Sequence, residues 1–446
     1  MRAWSYTDGG GRPVDGAAAQ SGPASASPSA WAAAPRYAPA AYAGGRHARR
    51  LPHWDRKQAA TPGGNAVKVV ALVAAHNEEA SVGLTINALL LQTRPIDNIV
   101  VISDNSTDRT FEIAQSYPIT VTRTNSNTHK KAGALNTGWT AYGQLADLII
   151  CVDADTVLPP TAVADWEQEF ERDERLGGSS AKLTMPGSGF LVRLQRAEFA
   201  RWTDTGLSRG WTSVLAGTAC AIRNDVLREI ARLAGREAPW TYDSIVEDFE
   251  LTYRIRKLGY RCHVSPEVRA YTEAMKTPKA LWGQRMKWQV GTVDDLLRFG
   301  LNRLTWVDWY QQFMGLLAAL VRVMWVLTIA VAIMLGLFEL DPIWLLPTLV
   351  FIASDVKQSL RIPHRDRWDV ILAAAVLPQE AFAWIRAGWF TASWLSVLKS
   401  RVTGRRKDYW SVQYELEERT SDDRREMPDL SPPANGQGVT GARHVF

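Results

Sequence analysis

Leu148-Ile149-Ile150-Cys151-Val152-Asp153-Ala154-Asp155 is an apolar run that ends in two carboxylates one residue apart. Its β-branched content predicts a buried strand, with the Asp-x-Asp on the turn just beyond it. Two carboxylates on one tight turn, Asp153 and Asp155, can hold a hard cation through oxygen ligands, and such a cation neutralises a diphosphate. The alternative is that the acidic turn only caps a helix, since Pro159 and Pro160 follow closely.

Working upstream, Val67 to Ala75, Asn98 to Ser103 and Ile119 to Thr124 have the same strand character, with helices predicted over Ser81 to Gln92 and Thr107 to Ser116. This βαβαβ series predicts an α/β fold, a mostly parallel sheet with helices on both faces, of nucleotide-binding type. Ligands of such open sheets bind outside the carboxyl ends of the strands. There the chain has His76-Asn77-Glu78-Glu79 and Asp104-Asn105. Asn77, Glu78 and Asp104 are therefore candidates for hydrogen-bonding a base and ribose, with turn formation or capping as the alternative. Lys130-Lys131-Ala132-Gly133-Ala134-Leu135-Asn136 opens a helix with two cations and then small residues, which would let backbone approach a ligand closely. A solvated basic helix start is the alternative for Lys131.

Downstream, Glu247-Asp248 precedes the amphipathic run Phe249 to Leu258 and its Gly259 stop, placing both carboxylates at a helix N-terminus, where capping is the simpler role. Gln284-Arg285-Met286-Lys287-Trp288 gathers two cations and an indole within about one and a half helical turns. Arg285 and Lys287 suit a diphosphate, and Trp288 suits the C–H face of a sugar ring. An interfacial anchor is the alternative.

After Trp306 the composition turns apolar. Gln311 to Phe338 is long enough to cross a bilayer, interrupted only by Arg322, and ends at the acidic turn Glu339-Leu340-Asp341-Pro342. Ile343 to Ala353 spans only if its polar continuation toward Leu360 is included. Basic clusters follow Leu360 and Leu398, which puts both on the cytoplasmic side and predicts a hairpin from Gln311 to Leu360. Trp368 to Leu398 contains Pro378, Glu380 and Arg386, so a re-entrant or interfacial pair of half-helices broken near Pro378 is expected.

The formal charge of +5 is modest and its Lys and Arg are dispersed, which argues against a nucleic-acid-binding arm. Three widely spaced cysteines, Cys151, Cys220 and Cys262, indicate neither a disulfide framework nor a zinc knuckle. Residues Met1 to Ala66, rich in Ala, Gly, Pro and Ser, carry no periodic apolar pattern, and are expected to form a flexible, low-complexity tail. No secretory signal is evident at the N-terminus.

In combination and order, these motifs resemble the processive branch of the family-2 glycosyltransferases, the cellulose, chitin, hyaluronan and poly-N-acetylglucosamine synthases, over roughly Val69 to Trp288 and on into the apolar region. The family's Asn-Glu-Glu turn is matched by Asn77-Glu78-Glu79, its nucleotide-contacting Asp by Asp104, and its Lys-Ala-x-Ala-Leu-Asn helix start by Lys131 to Asn136. Its metal motif is matched by Asp153 and Asp155, and its Glu-Asp pair by Glu247 and Asp248, where the Asp is the general base. Gly217 to Arg223 is similar to the family's acceptor-side segment. The family's Gln-x-x-Arg-Trp signature has Lys287 in place of the usual second Arg, which keeps the charge but loses the bidentate fork.

The resemblance implies a GT-A (Rossmann-like) catalytic domain facing the cytoplasm over residues 67–300, with interfacial helices near Trp282 to Phe299. A membrane region over 301–412 and a polar tail over 413–446 would follow. It implies an inverting, Mg2+- or Mn2+-dependent transfer from a nucleotide sugar, a UDP-sugar, to a glycan or lipid acceptor. Polysaccharide synthesis in contact with membrane lipids is expected, without nucleic acid. A single transfer to a lipid, or a non-catalytic membrane scaffold, are the competing expectations.

Overall fold

The computed structural model describes residues 67–414 except 234, 340, 342–344, 364 and 406, so the two expected tails lie outside the described residues apart from the segment up to Tyr414. Strand β1 (Val69–Ala75) is followed by α1 (Val82–Leu90), β2 (Asn98–Ser103), α2 (Thr110–Gln115), β3 (Thr120–Arg123), α3 (Lys130–Gly138), β4 (Leu148–Asp153) and α4 (Ala162–Arg172). The chain continues through β5 (Leu176–Thr184), α5 (Phe190–Arg209), β6 (Ala219–Arg223), α6 (Asn224–Ala231), α7 (Glu247–Lys257), β7 (Arg261–Tyr271) and α8 (Pro278–Phe299). Four helices close it: α9 (Trp306–Met334), α10 (Leu345–Ser359), α11 (Arg367–Ala374) and α12 (Val376–Thr403).

The strands form one sheet in the order β3-β2-β1-β4-β6-β5-β7. The pairs β3–β2, β2–β1, β1–β4 and β5–β7 are parallel, whereas β6 runs antiparallel to β4 and β5. β1 is a continuous run of Val, Leu and Ala because helices cover both its faces, leaving nearly every residue buried. β5 is different in kind. Its Gly and Ser residues show no apolar signature, yet it is buried, because Ser179 donates to Glu169 at 2.6 Å and Ser180 accepts the Ala216 N–H at 3.1 Å.

Register is what builds the site. Ala75 pairs with Ser103 and Ala74 with Asp153, so the turns after β1, β2 and β4 emerge along one edge. Because β6 is reversed, its start joins that edge as well, and the Asp153 N–H donates to the Thr218 carbonyl at 2.9 Å. The Tyr271 end of β7 reaches it through a bridge to Val157.

α9 is, by length and composition, the one described helix able to cross a membrane by itself, and it leaves Leu320, Met324 and Trp325 exposed. Its first turns are anchored to the sheet-bearing body: Asp308 is buried, and Gln312 accepts from Gln289 at 2.6 Å and from Trp394 at 3.1 Å. α10, at 15 residues, returns to the same body, where Arg201 pairs with Asp355 at 2.9 Å and Asp204 accepts from Gln358 and Arg361. Both ends of the expected hairpin thus meet α5 and α8. The expected break near Pro378 falls earlier, at Ala375, where α11 and α12 meet at 77°. Pro378 lies in the first turn of α12, where a missing N–H breaks no helical bond. α11 is held by a capping box of Asp366 and Asp369 and by ion pairs from Asp369 to Arg196 and Asp366 to Arg193.

Candidate active site

One cavity of about 870 Å³ opens along the shared strand edge and extends to the start of α9 and the middle of α12. Among the candidate residues, Glu78, Asp104, Lys131, Asp153, Asp155, Glu247, Asp248, Gln284, Arg285, Lys287 and Trp288 all line it. Asn77 is not in the wall. It holds a left-handed conformation, φ 56°, at the end of β1, and its side-chain oxygen accepts the Thr107 N–H at 2.9 Å, so it ties the first two strand-end turns together.

At the end of β2, the buried Asp104 carboxylate accepts from Thr124 at 2.7 Å and from Asn127 at 2.8 Å, and its carbonyl is 2.6 Å from His76 Nδ1. Asn127 explains Gly133. A Cβ on Gly133 would come within 2.1 Å of Asn127 Oδ1, so the small residue makes room for the side chain that orients Asp104, and not for a ligand against backbone.

Lys131 is the centre of the site. Its ammonium pairs with Asp153 and donates to the Gly217 carbonyl at 3.1 Å, while the Gly217 N–H donates to Asp248 Oδ2 at 3.2 Å. A Cβ on Gly217 would sit 3.1 Å from Lys131 Nζ, so a larger residue there would push the ammonium aside. Burial works against this ammonium, but the charges of Asp153 first and then Glu247 outweigh it and raise its pKa. Burial pushes the Glu247 carboxyl up to about 7 against the pull of Lys131, with Asp248 adding to the rise. Asp248 is not the helix cap. That position belongs to Val246, which offers no side-chain acceptor, while Asp248 lies inside the first turn and accepts the Phe249 N–H at 2.8 Å.

Burial and then the neighbouring Asp153 charge push the Asp155 carboxyl up to about 7, with a hydroxyl donation from Thr156 at 3.0 Å partly offsetting them. Such mutual repulsion is what a divalent cation relieves, and the hard oxygen donors suit Mg2+ or Mn2+. Among the described residues no three acidic, His or Cys side chains are grouped as ready ligands. Two carboxylates fit a cation that takes its remaining ligands from a diphosphate and water, as Mg2+ habitually does.

The Gln284 to Trp288 segment is divided by the helix itself, since residues two apart point about 200° away from each other. Lys287 faces the acid cluster, close enough to stabilise the Glu247 carboxylate, and lies 3.3 Å over the Trp410 ring. Arg285 faces α5, pairing with Glu198 at 2.9 Å and covering Trp288, Trp202 and Phe199. The two cations expected together on a diphosphate therefore face different walls of the same cavity.

Several wall residues carry no sequence signal of their own: Thr272, Trp202, and above all Trp410, Gln413 and Tyr414, which are helical within 409–414. Trp410 donates to the Ile245 carbonyl at 3.1 Å, and Tyr414 lies against His76 with ring centroids 4.3 Å apart. Gln413 and Tyr414 are beyond the point where the polar tail was expected to start. Only their aromatic and amide character at the chain's far end could have marked them.

Residues 148–354 match the family model described as glycosyl transferase family group 2. The probable glycosyltransferase YdaM of Bacillus subtilis (strain 168) is 29% identical over 266 residues, covering 56% of this chain and 60% of that protein. A poly-beta-1,6-N-acetyl-D-glucosamine synthase of Staphylococcus epidermidis is 25% identical over 241 residues, covering 51% of this chain and 55% of its own. The chain thus spans only between 55% and 60% of the length of these relatives. Among solved structures, the mannosyltransferase PcManGT from Pyrobaculum calidifontis in complex with GDP-Man and Mn2+ superposes with a TM-score of 0.52 at 18% identity. That alignment covers 74% of this chain and 87% of that one, and it bears on the fold. The strand-end acid motifs, the sheet order and these matches agree on a GT-A fold, with residues 148–354 similar to the family-2 glycosyltransferases and about half of the chain similar to the poly-N-acetylglucosamine synthases.

Proposed function

We propose that the protein is an inverting, divalent-cation-dependent glycosyltransferase that uses a nucleotide sugar, a UDP-sugar in the first instance, to build β-linked glycan at the cytoplasmic face of a membrane. The observation that carries this is the single cavity in which Lys131 links the Asp153 and Asp155 pair to the Glu247 and Asp248 pair through Gly217. The base and ribose lie at the Asp104 and Glu78 end. Asp153 and Asp155 would hold the cation, which when bound supplies positive charge to the donor diphosphate. Lys287 adds a cation on the same side, and Trp288 offers its ring to the acceptor sugar.

Asp248 takes the proton from an acceptor hydroxyl as that oxygen forms its bond to the anomeric carbon and the bond to the diphosphate breaks. A single displacement inverts the centre. The buried Glu247, held close to neutrality, keeps a second full negative charge from crowding Asp248. The poly-N-acetylglucosamine synthases among the relatives support a glycan product, and α9 supports the membrane setting.

Incubating reconstituted protein with a panel of UDP- and GDP-sugars, with and without EDTA, and weighing the products tests all of this. Transfer that stops with EDTA and returns with Mg2+ or Mn2+ is expected. Undiminished transfer under excess chelator removes the cation from the scheme, and no donor turnover at all favours a non-catalytic scaffold.

A further inference from the structure

Charge at the membrane-side end of the cavity is arranged separately from the acid cluster. Arg386 of α12 lines the cavity there together with Glu198, Arg201 and Arg285. Three of the neighbouring cations each hold their own acid: Arg285 holds Glu198 at 2.9 Å, Arg201 holds Asp355 at 2.9 Å, and Arg322 of α9 holds Glu380 at 3.1 Å. The charged groups that act most strongly on Arg386 are Glu198, Arg201, Arg322 and Asp355, all of them engaged in those pairs. Arg386 makes no hydrogen bond or ion pair with a described residue, and its neighbour is the Phe382 ring, 5.6 Å from its Cζ. Four guanidiniums thus share three carboxylates, and a guanidinium does not lose its charge.

An unmatched cation on an apolar helix is unfavourable unless something anionic answers it. Its position separates it from the donor: the diphosphate has Lys287 and the proposed cation-binding carboxylates at the strand edge, while Arg386 follows directly on the exposed apolar side chains Trp384 and Ile385. α9 beside it exposes Leu320, Val321 and Met324. A fork-shaped cation next to apolar helix faces suits a ligand with a phosphate at one end and hydrocarbon at the other.

We propose that Arg386 binds the phosphate headgroup of a membrane lipid at the membrane-side end of the catalytic cavity, with the lipid tail along the exposed faces of α9 and α12. This rests on the membrane setting of these helices given above, and it deepens that reading by naming the class of molecule that enters from the bilayer.

The test uses the full chain purified in dodecyl maltoside and titrated with dodecyl phosphate by native mass spectrometry, with inorganic phosphate as the arm that lacks a tail. The parent should bind dodecyl phosphate in preference to inorganic phosphate. Arg386→Gln should bind it at least about ten-fold more weakly, the loss of one charge-assisted contact, and Arg386→Lys should recover part of the difference. Unchanged melting temperatures show that the variants are folded. Equal affinity of parent and Gln variant overturns the assignment to Arg386, and equal affinity for inorganic phosphate overturns the lipid as its source. Flotation with phosphatidylcholine vesicles reports the membrane setting, and UDP or GDP binding on the same preparation reports the glycosyltransferase site. Flotation and nucleotide binding without dodecyl phosphate binding overturn only this inference.

Discussion

At Lys131 one ammonium touches both acid pairs, pairing with Asp153, the proposed cation ligand, and reaching Asp248 through the Gly217 peptide. Asp248→Asn should therefore bind nucleotide nearly as well as the parent and transfer sugar about 100-fold or more slowly, because the donor contacts remain and only proton abstraction is lost. Measuring both on one preparation decides between a base and a merely structural acid, since transfer at the parental rate would require another base. Asp155→Asn keeps the shape of a buried carboxyl but removes the charge a cation needs. Its turnover should fall to the level of the chelated parent, and metal titration should no longer rescue it. The types of these residues and their places, Asp153 and Asp155 at a strand end and Lys131 and Asp248 at helix starts, are legible in sequence. The sharing of Lys131 is not, because it depends on Gly217 arriving from a strand that runs the other way.

At the level of elements, α8 joins the catalytic body to the apolar helices, and its Asp295 is buried where it accepts from Ser244 at 2.6 Å. Burial pushes this carboxyl up to about 7, with the Ser244 hydroxyl pulling the other way. A raised acid is at home when protonated, so its contribution is fully present below the ordinary carboxyl range and is lost as pH rises through about 7. Thermal unfolding from pH 4 to 8 should show Asp295→Asn gaining stability relative to the parent as pH rises, and a gap that does not change with pH would rule out a buried, titrating Asp295. In the core, Trp166 of α4 is fully buried against the sheet, and Trp166→Ala should destabilise the domain by about 3–5 kcal/mol in denaturant unfolding. α4, like α1 and β1, was open to sequence inspection or close to it because apolar side chains mark its buried face. β5 escaped because hydrogen-bonded serines fill its interior positions, and apolar periodicity does not register a satisfied polar group.

Across the whole molecule, the cavity is closed by parts far apart in the chain: His76 meets Tyr414, Lys130 approaches Ser411, and Lys287 lies on Trp410. Trp410→Ala should raise the donor KM by about three- to ten-fold with a smaller change in kcat, the scale of one partly desolvated cation–π contact, and an unchanged KM would show that Lys287 keeps its place without the ring. The α/β class, the acidic strand ends, the helix start at Lys130 and the apolar run of α9 were determined by the sequence alone, because each depends on local periodicity or on residue type at a turn. Which way Arg285 and Lys287 face, that Gly133 makes room for Asn127, and that 409–414 walls the active site were decided only by the tertiary structure. Those outcomes depend on contacts between distant segments, and such contacts exist only once parallel register has aligned the strand ends and the returning helices have packed against α5 and α8.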